Sequence, residues 1–286
     1  MLRTAAPYGK QESTGHHMDI IASGNDIKLH QPDLDLDMTL DCGQAFRWER
    51  LSPGVYKGFA GKRPLTIEQR DDSTFVFKDT SMDDMAFWAD YFDLERDYGS
   101  IKERFSEDEV LSRACEYGHG IRILKQDREE TLLSFIISQN NNIPRIKLII
   151  SRLCGMYGGF PTAYEMRDAS EDILAPLKAG FRTRYLLDCI RRINSGETDL
   201  DAISLMDSES AAKELMEIKG VGAKVAACTL LFGFNRLEVC PVDVWIRRVL
   251  EKCYPNGLPP CTKGFEGIAQ QYLFYYFRGR DEELTP

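Results

Sequence analysis

Lys224 follows the Gly220-Val221-Gly222 turn by two positions, within the stretch IKGVGAKVAA, at the start of a run with helical apolar spacing. In the first turn of a helix its ammonium meets the positive end of the backbone dipole, and partial burial disfavours that charge further. Both effects suit a free amine that forms a Schiff base; an ordinary phosphate-binding lysine is the competing reading. Asp243, in CPVDVW, stands 19 positions downstream, beyond one helix and one loop, which is enough chain to bring its carboxylate back beside the amine. There it could stabilise a sugar cation, and it is equally suited to cap the helix that follows. Gly220 and Gly222 permit positive φ and let an anion approach the backbone N–H groups at a helix start. A helix, this tight turn and a second helix make a helix–hairpin–helix, which grips a nucleic-acid backbone without reading its sequence; a purely structural turn is the alternative.

Such residues need a helical frame. After about Ser112 the strand signals stop and segments of 3.6-residue apolar period follow one another: 128–138, 144–157, 171–178, 182–194, 209–218, 223–234, 244–253 and 264–278. Pro144 suits a first helical position, where its missing N–H is no loss. From Phe46 to about Lys78 the pieces FRWE, VYKGFAG, PLTIEQR and TFVFKD alternate between turn signals, which predicts an antiparallel meander. Ser81 then caps a helix presenting Met85, Trp88 and Phe92 on one face. The expected fold class is α+β: an N-terminal domain over 18–112 with an antiparallel β-sheet and helices, then an all-α domain over 113–286 carrying the helix–hairpin–helix. Residues 1–17 are polar and irregular and read as a disordered leader or tag-like extension.

Composition narrows the chemistry. No apolar run approaches the roughly 18–20 residues of a membrane span. Eight scattered cysteines without a C-x-x-C pair suit reduced thiols in a cytosol. All four histidines fall in the first half, so metal-dependent and histidine-based chemistry are both poor expectations. The formal charge of −9 opposes a polyanionic partner at face value. Its distribution is uneven: 18–41 carries six aspartates against Lys28, whereas 178–192 carries Lys178, Arg182, Arg184, Arg191 and Arg192 against Asp188. A basic face on the second half could bind phosphates, or it could be a solvated helix surface.

GVG-x-K followed by V-D resembles the helix–hairpin–helix superfamily of base-excision DNA glycosylases. Five further segments, in order from about 41 to 274, are similar to its 8-oxoguanine DNA glycosylase branch: DCGQAFRW from Asp41, GIRILKQD from Gly120, SQNNNIPR from Ser138, GFRTRY from Gly180 and GIAQQYLF from Gly267. The chain is read as a bacterial member, with Trp245 where eukaryotic members carry histidine and Phe181 where they carry tyrosine. The cysteine cluster of the iron–sulfur relatives is absent.

The resemblance implies excision of 8-oxoguanine flipped out of duplex DNA, with Lys224 as Schiff-base nucleophile, Asp243 stabilising the sugar cation, and β-elimination cleaving the strand. It implies a lesion pocket in which the Gly43 carbonyl accepts from the N7–H that normal guanine lacks, Cys228 and Phe274 sandwich the base, and Gln270 reads its pairing edge. Phe181 becomes the wedge, and Asn140, Arg145 and Arg182 the contacts to the estranged cytosine. Gly220, Val221 and Gly222 hold phosphate. No cofactor is implied, although hairpin carbonyls near Ile218 and Val221 could hold a structural cation. The protein is expected to act as a monomer on double-stranded DNA, in a bacterial cytoplasm with the nucleoid or, in a eukaryote, in the nucleus. A monofunctional alkylbase glycosylase of the same superfamily lacks the lysine; a non-catalytic helix–hairpin–helix DNA-binding module leaves Asn140, Phe181 and Phe274 without a joint purpose.

Overall fold

The computed structural model describes residues 19–278 and 280, so the leader expected at 1–17 lies outside the described residues. Strands β1 (Asp19–Ser23) and β2 (Asp26–His30) precede a short helix, α1 (Leu36–Leu40). Then come β3 (Trp48–Ser52), β4 (Val55–Ala60), β5 (Arg63–Gln69) and β6 (Thr74–Lys78). All pair antiparallel in the order β1-β2-β6-β5-β4-β3. The meander β3–β6 follows the alternating pieces of the sequence. β1 and β2 do not announce themselves in the sequence, and they extend the sheet by setting Leu29 opposite Phe75.

Period-two alternation sends Tyr56, Ile67, Phe75 and Phe77 to one face, where all four are fully buried. Helix α2 (Met82–Tyr91) covers that face, and the Ser81 hydroxyl caps it by accepting from the Asp84 N–H. Trp88 lies edge-on to Trp48, and the Trp48 indole donates to the Tyr91 hydroxyl at 2.8 Å. That bond satisfies a polar tip which burial would otherwise leave unpaired.

Eleven helices follow: α3 (Tyr98–Phe105), α4 (Glu109–Tyr117), α5 (Arg128–Ser138), α6 (Ile143–Tyr157), α7 (Glu171–Leu174), α8 (Arg182–Ser195), α9 (Leu200–Leu205), α10 (Ser208–Met216), α11 (Ala223–Gly233), α12 (Val244–Cys253) and α13 (Glu266–Arg278). The helix expected over 171–178 divides, because Pro176 has no N–H for the Asp172 carbonyl; a 3-10 turn at Ala175–Leu177 replaces its second half. Pro144 sits at the second helical position, since Asn142 takes the cap and accepts from the Arg145 N–H at 3.0 Å. α10 stops at Met216 rather than 218, and Ile218 tightens to an N–H bond with the Leu215 carbonyl at 3.2 Å.

Helix α5 is buried continuously from Thr131 to Ile137 and forms the axis of the helical core. A helix apolar on every side belongs inside, and α11, similarly apolar, packs along it with Phe135 and Phe232 stacked at 5.5 Å. The sheet and the helices meet at an extended segment, residues 121–127. There the Arg122 guanidinium, almost wholly buried, donates to the carbonyls of Asp33 at 2.9 Å and Asp93 at 2.5 Å and lies 4.5 Å over the Tyr98 ring. An ion pair from Arg47, just before β3, to Glu130 of α5 at 2.7 Å crosses the same seam.

Candidate active site

The packing of α11 on α5 brings Lys224 over the Phe135 ring, its Nζ 4.8 Å from the centroid. Lys224 is the second residue of α11, half-buried, and its amine is in polar contact with the Cys228 thiol one turn on. No carboxylate among the described residues comes within ion-pair distance of it. Burial pushes the Cys228 thiol up, Lys224 opposes that shift and Asp243 adds to it, so the cysteine is a neutral, weakly polar wall.

Asp243 enters from the other side. It caps α12, its Oδ1 accepting from the Ile246 N–H at 2.8 Å, and this fixes the position of the carboxylate. Lys224, Asp243, Cys228, Gly43, Gln270 and Phe274 line one small cavity, together with Cys42, Phe135, Phe232, Pro241 and Gln271. Gly43 has φ +88, a left-handed conformation that favours glycine. Gln270 and Phe274 lie four residues apart on α13, hence on one helix face. At about 50 Å³ the cavity is far below the roughly 300–1,000 Å³ of preformed ligand sites, so a purine requires it to open.

One atom in it lacks a partner. Gln270 Oε1 is buried and accepts no hydrogen bond from the described residues. Such an acceptor costs a folded protein about 1–3 kcal/mol unless something occupies it. A ligand presenting N–H groups at the back of the cavity would satisfy it. Gln270→Leu, close in volume, is expected to keep or raise the melting temperature while lowering excision of the ligand base by about 10–100-fold; a melting curve and single-turnover kinetics check both, and an unstable variant with full excision would contradict the assignment.

The other expected contacts form a separate group outside this cavity. Phe181 is half exposed at the start of α8, lies edge-on to Tyr185 at 5.7 Å and carries the Arg182 guanidinium 4.4 Å over its ring. Asn140 is exposed in the left-handed region at φ +47, and Arg145 is exposed on α6. Arg182 differs from its neighbours. It is buried, and its guanidinium donates to the carbonyls of Gln139 at 2.7 Å, Asn140 at 2.7 Å and Ala179 at 3.1 Å, so in this conformation it clamps the loop that presents Asn140.

The hairpin completes the surface. Gly220 has φ +82, and a Cβ there would collide with the Tyr185 ring, so the turn is bolted to α8. The Lys219 N–H reinforces this by donating to Asp188 Oδ2 at 2.8 Å. Val221 is buried, whereas a Cβ on Gly222 would meet open space. Ten helices, α1 to α7, α9, α10 and α12, have an Asp, Asn or Ser side chain bonded at the N-cap. α8 and α11, with Phe181 and Gly222 at that position, have no such bond and no acidic residue in the first turn. The first N–H groups of α11 are open to an external anion, whereas at α8 the Thr183 N–H already donates to the Gly180 carbonyl at 3.1 Å. Gly222→Asp supplies a better cap at an allowed backbone geometry, φ −101 and ψ 179. It is expected to leave stability equal or slightly higher while weakening duplex affinity about tenfold or more, as read by fluorescence anisotropy.

Sequence reasoning missed Phe135, Cys42 and Gln271 at the cavity and Tyr185 beneath the hairpin. Phe135 sits in an apolar run that looks like any core helix, and the roles of the other three follow from contacts distant in sequence. Among the described residues no cluster of His, Cys, Asp and Glu could hold a metal ion.

An amine and a carboxylate at one closed cavity, beside a hairpin whose following helix has no side-chain cap, suit a helix–hairpin–helix base-excision DNA glycosylase. Residues 26–132 match the 8-oxoguanine DNA glycosylase N-terminal domain, and residues 133–260 match the HhH-GPD superfamily of base excision DNA repair proteins. The N-glycosylase/DNA lyase of Saccharomyces cerevisiae is 30% identical over 269 residues, covering 80% of this chain and 70% of that protein. Two solved structures superpose closely. MBOgg1 in complex with a low-affinity DNA ligand has a TM-score of 0.86 at 36% identity, over 93% of this chain and 99% of that one. The Clostridium acetobutylicum 8-oxoguanine glycosylase/lyase, in complex with double-stranded DNA containing cytosine opposite 8-oxoG, has a TM-score of 0.84 at 32% identity, over 94% and 100%. This chain belongs to the 8-oxoguanine DNA glycosylase family.

Proposed function

We propose that the chain is a bifunctional glycosylase and lyase that removes 8-oxoguanine from duplex DNA, with Lys224 as nucleophile. The observation that carries this reading is the convergence of Lys224, Asp243 and the unpaired Gln270 Oε1 on one cavity. The α11 start and Gly222 take a phosphate of the lesion strand. Phe181 enters the stack as the damaged nucleotide turns out, and Asn140 and Arg145, with Arg182 beneath them, face the cytosine left behind.

In the opened cavity the base lies between Cys228 and Phe274. Its N1–H and amino group satisfy Gln270, and its N7–H meets the Gly43 carbonyl. Normal guanine offers a lone pair at N7, and two acceptors facing each other in a dry site cost roughly 1–3 kcal/mol, which biases excision toward the oxidised base. The Lys224 amine attacks C1′ as the bond to N9 breaks, and the Asp243 carboxylate stabilises the positive charge that develops on the sugar. The base takes the electron pair and leaves. Ring opening gives a protonated Schiff base between Lys224 and the sugar, which acidifies the C2′ proton. Loss of that proton expels the 3′ phosphate and cuts the strand. Every residue needed comes from one chain, which fits action as a monomer on chromosomal DNA.

The monofunctional alkylbase reading gives an amine at the cavity nothing to do. Borohydride added during reaction separates the two: a protein–DNA adduct is expected with an 8-oxoguanine:cytosine duplex and none with a 3-methyladenine duplex. Base release without any adduct would defeat the lyase assignment.

A further inference from the structure

Two elements of the pocket come from opposite ends of the chain. The Gly43 carbonyl belongs to the loop before β3, and Gln270 belongs to α13. Their separation decides whether one base can satisfy both, because the carbonyl reads the five-membered ring and the amide the far edge of the six-membered ring. Something must hold that spacing.

A buried sulfur bridges them. Cys42, next to Gly43, is 1% exposed, and its Sγ donates to the Thr39 carbonyl at 3.2 Å. The same sulfur accepts from Gln271 Nε2, on α13, at 3.4 Å, and lies 3.3 Å from Gln44 Nε2 on its other side. Gln271 is the chain neighbour of Gln270 and is itself 4% exposed. Gln44 anchors the near end firmly: it donates to the Thr39 carbonyl at 2.9 Å and the Arg122 carbonyl at 2.7 Å, and its Oε1 accepts from the Leu124 N–H at 2.9 Å. The bridge therefore runs from the rigid seam between sheet and helices, through one thiol, to the helix that carries the base-reading amide.

We infer that Cys42 and Gln271 are positioning residues whose hydrogen bond fixes the spacing between the Gly43 carbonyl and Gln270, and so sets how well the pocket accepts the oxidised base. Neither needs to touch the base. Burial pushes the Cys42 thiol up to about 11, which keeps its proton on sulfur and its donation to Thr39 intact through the physiological range. A hydroxyl can make the same donation to Thr39 and the same acceptance from Gln271, and a methyl group can make neither. Serine should therefore serve in place of Cys42, and valine should not.

The inference rests on the assignment of Gly43 and Gln270 to base reading, and the experiment tests the two separately. Single-turnover excision from an 8-oxoguanine:cytosine duplex is measured for Cys42→Ser, Cys42→Val, Gln271→Leu, the Cys42→Val/Gln271→Leu pair and Gln270→Leu. Affinity for a tetrahydrofuran abasic duplex, which places no base in the pocket, is measured beside it. Cys42→Val and Gln271→Leu are each expected to slow excision about 5–30-fold, the double variant little further, and Cys42→Ser at most about twofold, with abasic-duplex affinity unchanged throughout. Fully additive losses, or equal losses of abasic-duplex affinity, would overturn the inference, as would normal excision by Gln271→Leu while Gln270→Leu is impaired. Normal excision by Gln270→Leu would instead overturn the underlying assignment. Should Cys42→Val fold poorly, Gln271→Leu and Cys42→Ser still decide the matter.

Discussion

Lys224→Gln is expected to yield no borohydride-trapped adduct on an 8-oxoguanine:cytosine duplex and to lower single-turnover excision by about 10³-fold or more. A tethered amine at a reacting carbon enjoys an effective concentration far above that of water, and this advantage disappears when the amide replaces it. Glutamine keeps nearly the length of the stem and can still contact the Cys228 sulfur and the Phe135 ring, so the fold and abasic-duplex affinity should remain near those of the parent. The loss is thus chemical. A full-strength adduct from this variant would transfer the nucleophile to another amine and remove the basis of the mechanism given above.

Asp243→Asn is the second large effect, and the choice of asparagine is what makes it informative. Asp243 caps α12 through the Ile246 N–H, and asparagine caps a helix as well as aspartate does. Stability should therefore change by no more than about 0.5 kcal/mol. Charge is a different matter, because the neutral amide cannot stabilise a sugar cation, and excision is expected to fall about 10²–10³-fold. Duplex affinity should hold or rise slightly, since a negative charge beside the phosphates has gone. Asp243→Ala should match that kinetic loss and also lower stability by about 1 kcal/mol through the missing cap. On a preformed abasic site no glycosidic bond remains to be broken, so the asparagine variant's deficit in strand cleavage should shrink. Equal defects on both substrates would mean that the carboxylate acts later than base departure.

Legibility differed by element for physical reasons. Helices α5, α6, α8, α11 and α12 fall within a residue or so of the segments that apolar periodicity marks, because each spans enough turns to repeat its pattern. α1 and α9 have five and six residues, too few for a period to show. β1 is mostly exposed, so DIIAS carries no burial pattern, and its neighbour β2 lies in a stretch dominated by acidic residues. At the site, Lys224 and Asp243 stand out because their residue types are chemically active and their turns demand glycine or a cap. Cys42 and Gln271 carry no local signal, since their meaning lies in a contact 229 positions apart in sequence. The size of the cavity is equally invisible in the sequence, being set by how α13 leans on the loop at Gly43.

Tyr185 gives the DNA-facing surface a mechanical property. Its ring meets Phe181 on one side and fills the space over Gly220 on the other, while Asp188 of the same helix holds the Lys219 N–H. On the roles proposed above for Phe181 and the hairpin, the lever that would pry the stack apart and the grip that would hold the strand share one fulcrum. Torque applied to the duplex would then not be lost as slippage between them, and would fall on the single nucleotide caught in the middle.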